Sequence, residues 1–274
     1  MLALPELPEL TVMARQMREE IAGKVILSAA CLQPKCLNVD PEALNMALTG
    51  KRVGEATNKG KWIFLPIEPD YALLINLGMG GDLVQYKPGE ALPAKYQFKL
   101  EFTDGTGFTI RFWWFGYVHL VANADLGLHD MTRDLGPSPL DADFTLDDFR
   151  AIMRVVRGRV KTFMLDQRRL AGIGNAYAHD ILFQARIHPE RPIPSLTAEE
   201  IEALYASIRS VLGESIHLGG AYYEKDFYGH PGGYTAERWV IGYREGTPCP
   251  VCGTEIQKIK TGATSSFVCP TCQR

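Results

Sequence analysis

The chain lacks long apolar runs and an excess of positive charge, and it has few cysteines, six in all. Each shortage excludes something. No apolar stretch approaches the ~20 residues that a membrane-spanning helix requires. The first residues carry acids early instead of a basic segment followed by an apolar one, which argues against a secretory signal and for a cytoplasmic protein. Lys and Arg number 29 against 32 Asp and Glu, for a formal net charge of −3. A uniformly basic nucleic-acid binder is thereby excluded, and only a local cationic surface stays open. The charge is unevenly spread: residues 125–148 hold seven aspartates and one arginine, whereas residues 150–191 hold nine Lys/Arg against three acids. The second stretch is the one suited to phosphate. Of six cysteines, four stand as Cys249-x-x-Cys252 and Cys269-x-x-Cys272. That pattern fits a metal in a reducing compartment, not a disulfide framework. What is present in ordinary amount is apolar material: 46% of 274 residues, enough for one large core or a few smaller ones.

Residues 8–23 read as a helix, with Pro8 in the first turn and Val12, Met13, Met17 and Ile21 on one face. Residues 24–122 are strand-rich: runs beginning at Trp62, Tyr71, Tyr96 and Phe108 are apolar or alternating and lie between Gly, Asp and Pro turns. A sandwich or barrel follows. The Asp-rich stretch 123–143, with Gly136-Pro137-Ser138-Pro139, reads as a linker. Helical patterning then begins at Thr145, a cap followed by Asp147 and Asp148, and recurs over 159–167, 175–185 and 197–217. The expected division is a sandwich over 1–122, a linker over 123–143, a helical domain over 144–235 and a cysteine ribbon over 236–274.

Sixteen residues separate Cys252 from Cys269. Two turns presenting two thiolates each can close a tetrahedral Zn²⁺ site with no open position for water, so the zinc is structural. The segment between reads as two strands around Thr261-Gly262-Ala263, too small to hold together without the metal. Cys31 and Cys36 have no metal-site spacing and read as ordinary thiols. The turn Gly172-Ile173-Gly174-Asn175 precedes a helix. It suits either a tight helix–helix corner or backbone approach to a phosphate at the helix N-terminus. Lys161, Arg168 and Arg169 nearby favour the phosphate.

In chain order, Pro5-Glu6-Leu7-Pro8-Glu9-Leu10, Asn58-Lys59-Gly60-Lys61, Leu77-Gly78-Met79-Gly80-Gly81 and Leu135-Gly136-Pro137-Ser138-Pro139-Leu140 come first. Asp166-Gln167, Gly172-Ile173-Gly174-Asn175, Ile187-His188-Pro189, Gly219-Gly220, Asp226-Phe227, Tyr243-Arg244-Glu245-Gly246 and the cysteine ribbon follow. With these motifs in register over nearly the whole length, the chain resembles the formamidopyrimidine-DNA glycosylase/endonuclease VIII family. The resemblance implies an α+β multidomain fold: an N-terminal β-sandwich with a leading helix, a helix–two-turn–helix domain and a C-terminal zinc β-hairpin. It implies a monomer with damaged DNA in a cleft and the damaged base flipped out. In the family a terminal proline amine attacks C1′ and forms a Schiff base, and the glutamate matching Glu6 handles protons. Residues matching Lys61 and Asn175 hold phosphates, the residue matching Met79 fills the gap left by the base, and a zinc-hairpin arginine grips phosphate.

Four departures qualify that picture. Four residues precede Pro5, so its nitrogen is a tertiary amide with a delocalised lone pair and cannot attack a sugar. The extension could reach ~13 Å if extended, which leaves the position of the true α-amine open. Thr264 stands at the hairpin arginine position, with Lys258 and Lys260 as partial substitutes. Trp113 and Trp114 precede the wedge Phe115 where the family carries arginines; they suit stacking on single-stranded or distorted DNA, and strand alternation would turn only one of them outward. Asn76 replaces a common family histidine. Glu6 reads either as a helix N-terminal acid or as the group that activates water. Lys61, with Lys59, reads as a phosphate ligand or a replacement nucleophile. His179 and His188 read as structural, and Tyr222, Tyr223, Phe227 and Tyr228 hint at stacking. Two functions remain: a DNA glycosylase of base excision repair using water and Glu6, with weak or absent lyase activity, or a non-catalytic lesion- or single-strand-binding protein of the same fold.

Overall fold

A computed structural model describes residues 4–274; residues 1–3, most of the extension before Pro5, lie outside the described residues. The chain divides into two units, residues Met1–Asp134 with Leu218–Gly233, and residues Leu135–His217 with Tyr234–Arg274.

In the first unit, α1 spans Leu7–Ile21 with proline in its first turn and buries Leu10, Met13, Met17 and Ile21 on one face. The strands that follow are β1 (Ile26–Cys31), β2 (Arg52–Val53), β3 (Thr57–Lys59), β4 (Trp62–Glu68), β5 (Tyr71–Asn76), β6 (Asp82–Tyr86), β7 (Phe98–Phe102), β8 (Gly107–Arg111) and β9 (Tyr117–Ala122). They form two antiparallel sheets, β1-β7-β8-β6 and β2-β4-β5-β9, with β3 added on β4. Alternate residues such as Phe98, Leu100 and Phe102 of β7 join Ile63, Leu65, Leu73 and Ile75 of the other sheet in one core, with α1 packed into it. The strand-rich reading of 24–122 missed α2, Pro41–Leu48. Its signal is in the sequence: Asp40 caps the helix by accepting the Glu42 N–H at 2.9 Å, and Pro41 opens it.

Leu218–Gly233 belongs with this unit because α1 holds it by hydrogen bonds. Glu9 Oε1 accepts the Ala221 N–H at 2.9 Å, and Gln16 Oε1 accepts the Phe227 N–H at 2.9 Å. Gln16 Nε2 also donates to Asp226 Oδ2 at 2.9 Å, and the Phe227 ring is buried against Phe108. The main-chain donors of a long irregular segment are thus satisfied by buried side chains of a rigid helix.

The second unit is helical: α3 (Leu146–Arg154), α4 (Val160–Leu165), α5 (Asn175–Gln184) and α6 (Ala198–His217), then the hairpin β10 (Gln257–Thr261) and β11 (Thr264–Val268). Thr145 caps α3 reciprocally: its Oγ1 accepts the Asp148 N–H at 3.2 Å, and Asp148 Oδ2 accepts the Thr145 N–H at 2.9 Å. Gln167 fastens the turns between α4 and α5, accepting the Gly172 N–H at 2.7 Å and donating to the Ile173 carbonyl at 2.8 Å. The helical stretches expected over 159–167, 175–185 and 197–217 thus correspond to α4, α5 and α6. Among the described residues no helix is long and apolar enough to cross a membrane.

Candidate nucleic-acid interface and metal centre

Pro5 and Glu6 are buried at the start of α1, and Pro5 is joined to Leu4 by a peptide bond. Three carboxyl groups gather in this unit with little exposure: Glu6 at 3%, Glu9 at 5% and Glu224 at 8%. Glu9 is the connector, because its Oε2 accepts the Glu6 N–H at 2.8 Å while its Oε1 holds Ala221. The Glu224 N–H in turn donates to the Ala221 carbonyl at 3.0 Å. Burial first, then the charges of Glu9, Asp82 and Glu6, push the Glu224 carboxyl up to about 9, so it carries its proton at neutral pH. Asp82 is paired with Arg111 and lies 3.7 Å from Lys225. Sequence reading singled out neither Glu9 nor Glu224. Glu9 had a signal, the acid at the third helical position of a capping box; Glu224 had none, since its environment comes from distant residues.

Lys61 lies at the β3–β4 turn and Met79 at the turn between β5 and β6, both half-buried. Asn76 joins the two turns: its Nδ2 donates to the Lys61 carbonyl at 2.8 Å and its Oδ1 accepts the Gly78 N–H at 3.0 Å. That is the structural role of the residue standing where the resemblance implies histidine. Gly78 has φ +59°, and a Cβ there would lie 1.4 Å from the Phe115 carbonyl oxygen, so only glycine lets the Met79 turn press against the loop carrying the tryptophans.

That loop corrects one expectation. Both tryptophans face solvent, Trp113 at 61% and Trp114 at 77% exposure, and Phe115 is 41% exposed. Alternation fails because β8 ends at Arg111 and β9 starts at Tyr117, so residues 112–116 are a loop in which Phe112 alone turns into the core. The Arg111 guanidinium lies 5.6 Å from the Trp113 ring centroid and braces it from below while bonded to Asp82.

In the second unit, Asn175 is the first residue of α5, at the helix end that favours anions. Its Oδ1 is buried without a partner among the described residues, and its Nδ2 lies 3.4 Å from His179 Nε2. His179 is held neutral, with its pKa lowered to about 3 by burial and then by Lys161. Arg168 and Arg169 are exposed in the turn before α5.

The zinc hairpin has two chemical faces. Thr261, Thr264 and Ser266 turn their hydroxyls onto Lys161, whose Nζ donates to them at 3.0, 3.0 and 2.8 Å and to the Ser265 carbonyl at 2.7 Å. Lys161 is 3% exposed, and burial among these neutral acceptors lowers its ammonium to about 8. The residue expected as a surface phosphate contact is therefore drawn inside, beneath the position where the resemblance implies arginine. Lys258 and Lys260 point away from that face by strand alternation and are exposed. A cavity of about 600 Å³ lies at the hairpin tip between Lys161, Arg159, Glu190 and Thr261–Thr264.

Cys249, Cys252, Cys269 and Cys272 bring their sulfurs within 4.8 Å of one another. Cys249–Cys272 and Cys252–Cys269 are 3.9 and 3.4 Å apart. Tetrahedral Zn–S bonds of about 2.3 Å place sulfurs roughly 3.8 Å apart, so the four fit one ion. They are a structural zinc site. Cys249 and Cys269 are buried with Phe183 of α5, Ile241, Ile256 and Phe267, which joins the metal to the helical unit.

Sequence profiles of three families match the chain: the formamidopyrimidine-DNA glycosylase N-terminal domain over residues 4–113, the formamidopyrimidine-DNA glycosylase H2TH domain over 135–226, and the zinc finger found in FPG and IleRS over 246–274. Among curated proteins, the formamidopyrimidine-DNA glycosylases of Chloroflexus aurantiacus and Pelotomaculum thermopropionicum are each 35% identical, covering 98% of both chains and 99% of both chains respectively. Among solved structures, a Lactococcus lactis Fpg bound to abasic-site DNA is 29% identical at a TM-score of 0.89, covering 98% of this chain and 99% of that one. A MutM bound to DNA containing carbocyclic 8-oxo-G is 30% identical at 0.89, covering 98% and 100%. The folded core, the two-turn helical unit and the zinc ribbon agree with these relatives from end to end, and the chain belongs to the formamidopyrimidine-DNA glycosylase family.

Proposed function

We propose that the protein is a DNA glycosylase of base excision repair that extrudes a modified base and cuts its N-glycosyl bond with water, with weak or absent β-lyase activity. One observation carries this reading: a buried Glu6 stands beside a proline whose nitrogen is locked in an amide. The amide lone pair is delocalised, so no iminium forms at Pro5. Glu6 still handles protons. It takes one from water as oxygen attacks C1′, and the departing base leaves with the glycosyl electron pair. Glu224 holds its proton in the same unit and so is not the group that takes one from water. Lys61, Asn175, Thr264, Lys258 and Lys260 are assigned to phosphates. Lys161 supports the hairpin from within and lends its charge through Thr264. Met79 and Phe115 are assigned to the vacated base stack, with Trp113 and Trp114 stacking on neighbouring bases.

A non-catalytic lesion- or single-strand-binding protein of the same fold is the second reading, favoured by the exposure of both tryptophans. Glu6→Gln separates the two. The glycosylase reading expects single-turnover base release to fall by about 10²–10⁴-fold, the range for a positioned acid–base group, with lesion affinity nearly unchanged. Base release absent from the wild type on every lesion, with tight lesion binding kept in Glu6→Gln, would establish the binder instead.

A further inference from the structure

Cys31 and Cys36 stand outside the metal centre and outside the residues assigned to DNA. Cys31 ends β1, where it pairs with Phe98 of β7. The chain then folds back through a 3₁₀ turn, Pro34–Cys36. The turn is closed by hydrogen bonds from the Cys36 N–H to the Gln33 carbonyl at 3.1 Å and from the Leu37 N–H to the Pro34 carbonyl at 2.9 Å. Leu37 bridges to Val118 of β9, which fixes the far side of the turn. The result is two sulfurs 3.6 Å apart, in van der Waals contact but unbonded. A disulfide needs ~2.05 Å, so an approach of roughly 1.5 Å, within reach of side-chain rotation, completes the bond.

We propose that Cys31 and Cys36 form an oxidisable dithiol site, which peroxide-class oxidants convert to an intramolecular disulfide and cellular dithiol reductants restore. The roles of the two sulfurs differ by exposure. Cys31 is half-buried and followed by the exposed Leu32, Gln33, Pro34 and Lys35, so oxidant reaches it from that side. Cys36 is 3% exposed, and burial, then the neighbouring Cys31, hold its thiol up at about 12. Cys31 sulfur attacks a peroxide oxygen, the O–O bond breaks, and the product is a sulfenic acid plus water. Cys36 sulfur then attacks Cys31 sulfur, the S–O bond breaks, and the hydroxide leaves as water with the Cys36 proton. Two thiols and one peroxide thus become one disulfide and two waters. The ring so closed is short, and constrains the unfolded chain less than a long loop would, which points to a reactive pair more than to a stabilising clamp.

The test uses the full zinc-loaded chain and hydrogen peroxide. Trypsin cuts after Lys35, between the two cysteines, so the disulfide joins the peptides 25–35 and 36–51. The expected result is a mass loss of two hydrogens carried by that linked pair, appearing before zinc is released and reversed by dithiothreitol. Cys31→Ser should abolish the linked pair, and Cys36→Ser should leave a sulfenic acid on Cys31 that dimedone traps. Phenylarsine oxide, which bridges paired thiols, should bind the unoxidised wild type with zinc retained and fail to bind Cys31→Ser. That measurement stands even if Cys36→Ser does not fold. Sulfinic acid on Cys31 with no linked peptide, or zinc loss while both thiols stay reduced, would overturn the proposal.

Discussion

The zinc hairpin and the Pro5–Glu6 start each stand where the resemblance implies a group that this chain does not carry, yet they are held in different ways. The hairpin is closed by two cysteine pairs, each with two residues between its ligands, brought together across the sixteen residues from Cys252 to Cys269. The start is held by bonds between residues far apart: Glu9 to Ala221 spans 212 positions and Gln16 to Phe227 spans 211. Their losses are also answered differently. Where the resemblance implies a hairpin arginine, Thr264 stands over the buried Lys161, so positive charge is kept but moved inward. Where it implies a terminal amine, Pro5 offers an amide, with the Glu6 carboxyl next to it in the chain. Charge can be supplied from a neighbouring element; a nucleophilic lone pair cannot be supplied through a hydroxyl.

Zinc removal is the severest way to break the comparison. Structural zinc in small ribbons is worth ~10 kcal/mol or more, so chelation or Cys269→Ser should unfold the hairpin, release Lys161 and abolish DNA affinity, while the first unit keeps its fold. Circular dichroism with a DNA-binding titration checks this; a hairpin that stays ordered without metal would contradict it. Exposing Pro5 by removing residues 1–4 should produce the opposite effect at the other end. A secondary amine appears, and borohydride trapping on abasic DNA should rise from background to a readily detected adduct. Equal background trapping before and after truncation would show that the amide is not what silences Pro5.

Smaller effects sharpen the contrast. Trp113→Ala and Trp114→Ala should each weaken binding to single-stranded or bubbled DNA by ~1–3 kcal/mol, the range for one base–aromatic stack, with little change in salt dependence. Lys260→Ala should instead reduce the salt slope by about one phosphate. The gentlest probe is pH. The Glu224 carboxyl is raised from 4.5 unfolded to about 9 folded, so the folded state holds the extra proton between those values. Its contribution to stability is whole below the lower value and is lost as pH rises toward the higher. Glu224→Gln should flatten the fall in Tm over that window, and a parallel fall in both proteins would remove Glu224 as its cause.

How much could be read in advance followed the same division. The cysteine spacing, the turn at Thr261–Gly262–Ala263, the Thr145 cap and the helices after it are local signals, and each had a local physical cause. The sandwich is legible from strand alternation, and α2 carries a local signal of its own in the Asp40-Pro41 start. Long-range contacts left no such mark. Nothing in the sequence announces that Lys161 lies inside the hairpin, that Glu224 joins Glu6 and Glu9, or that Asn76 ties the Lys61 and Met79 turns. Trp113 and Trp114 lie past the end of β8, where strand alternation no longer sets the direction of a side chain.

Borohydride trapping of the full-length chain on a duplex carrying a damaged base, run beside quantification of the free base, bears most directly on the hydrolytic role assigned to Glu6. The account predicts that base is released and no protein–DNA adduct accumulates. A stable adduct on the intact polypeptide would contradict it, because an amine would then be performing the step that is here given to water.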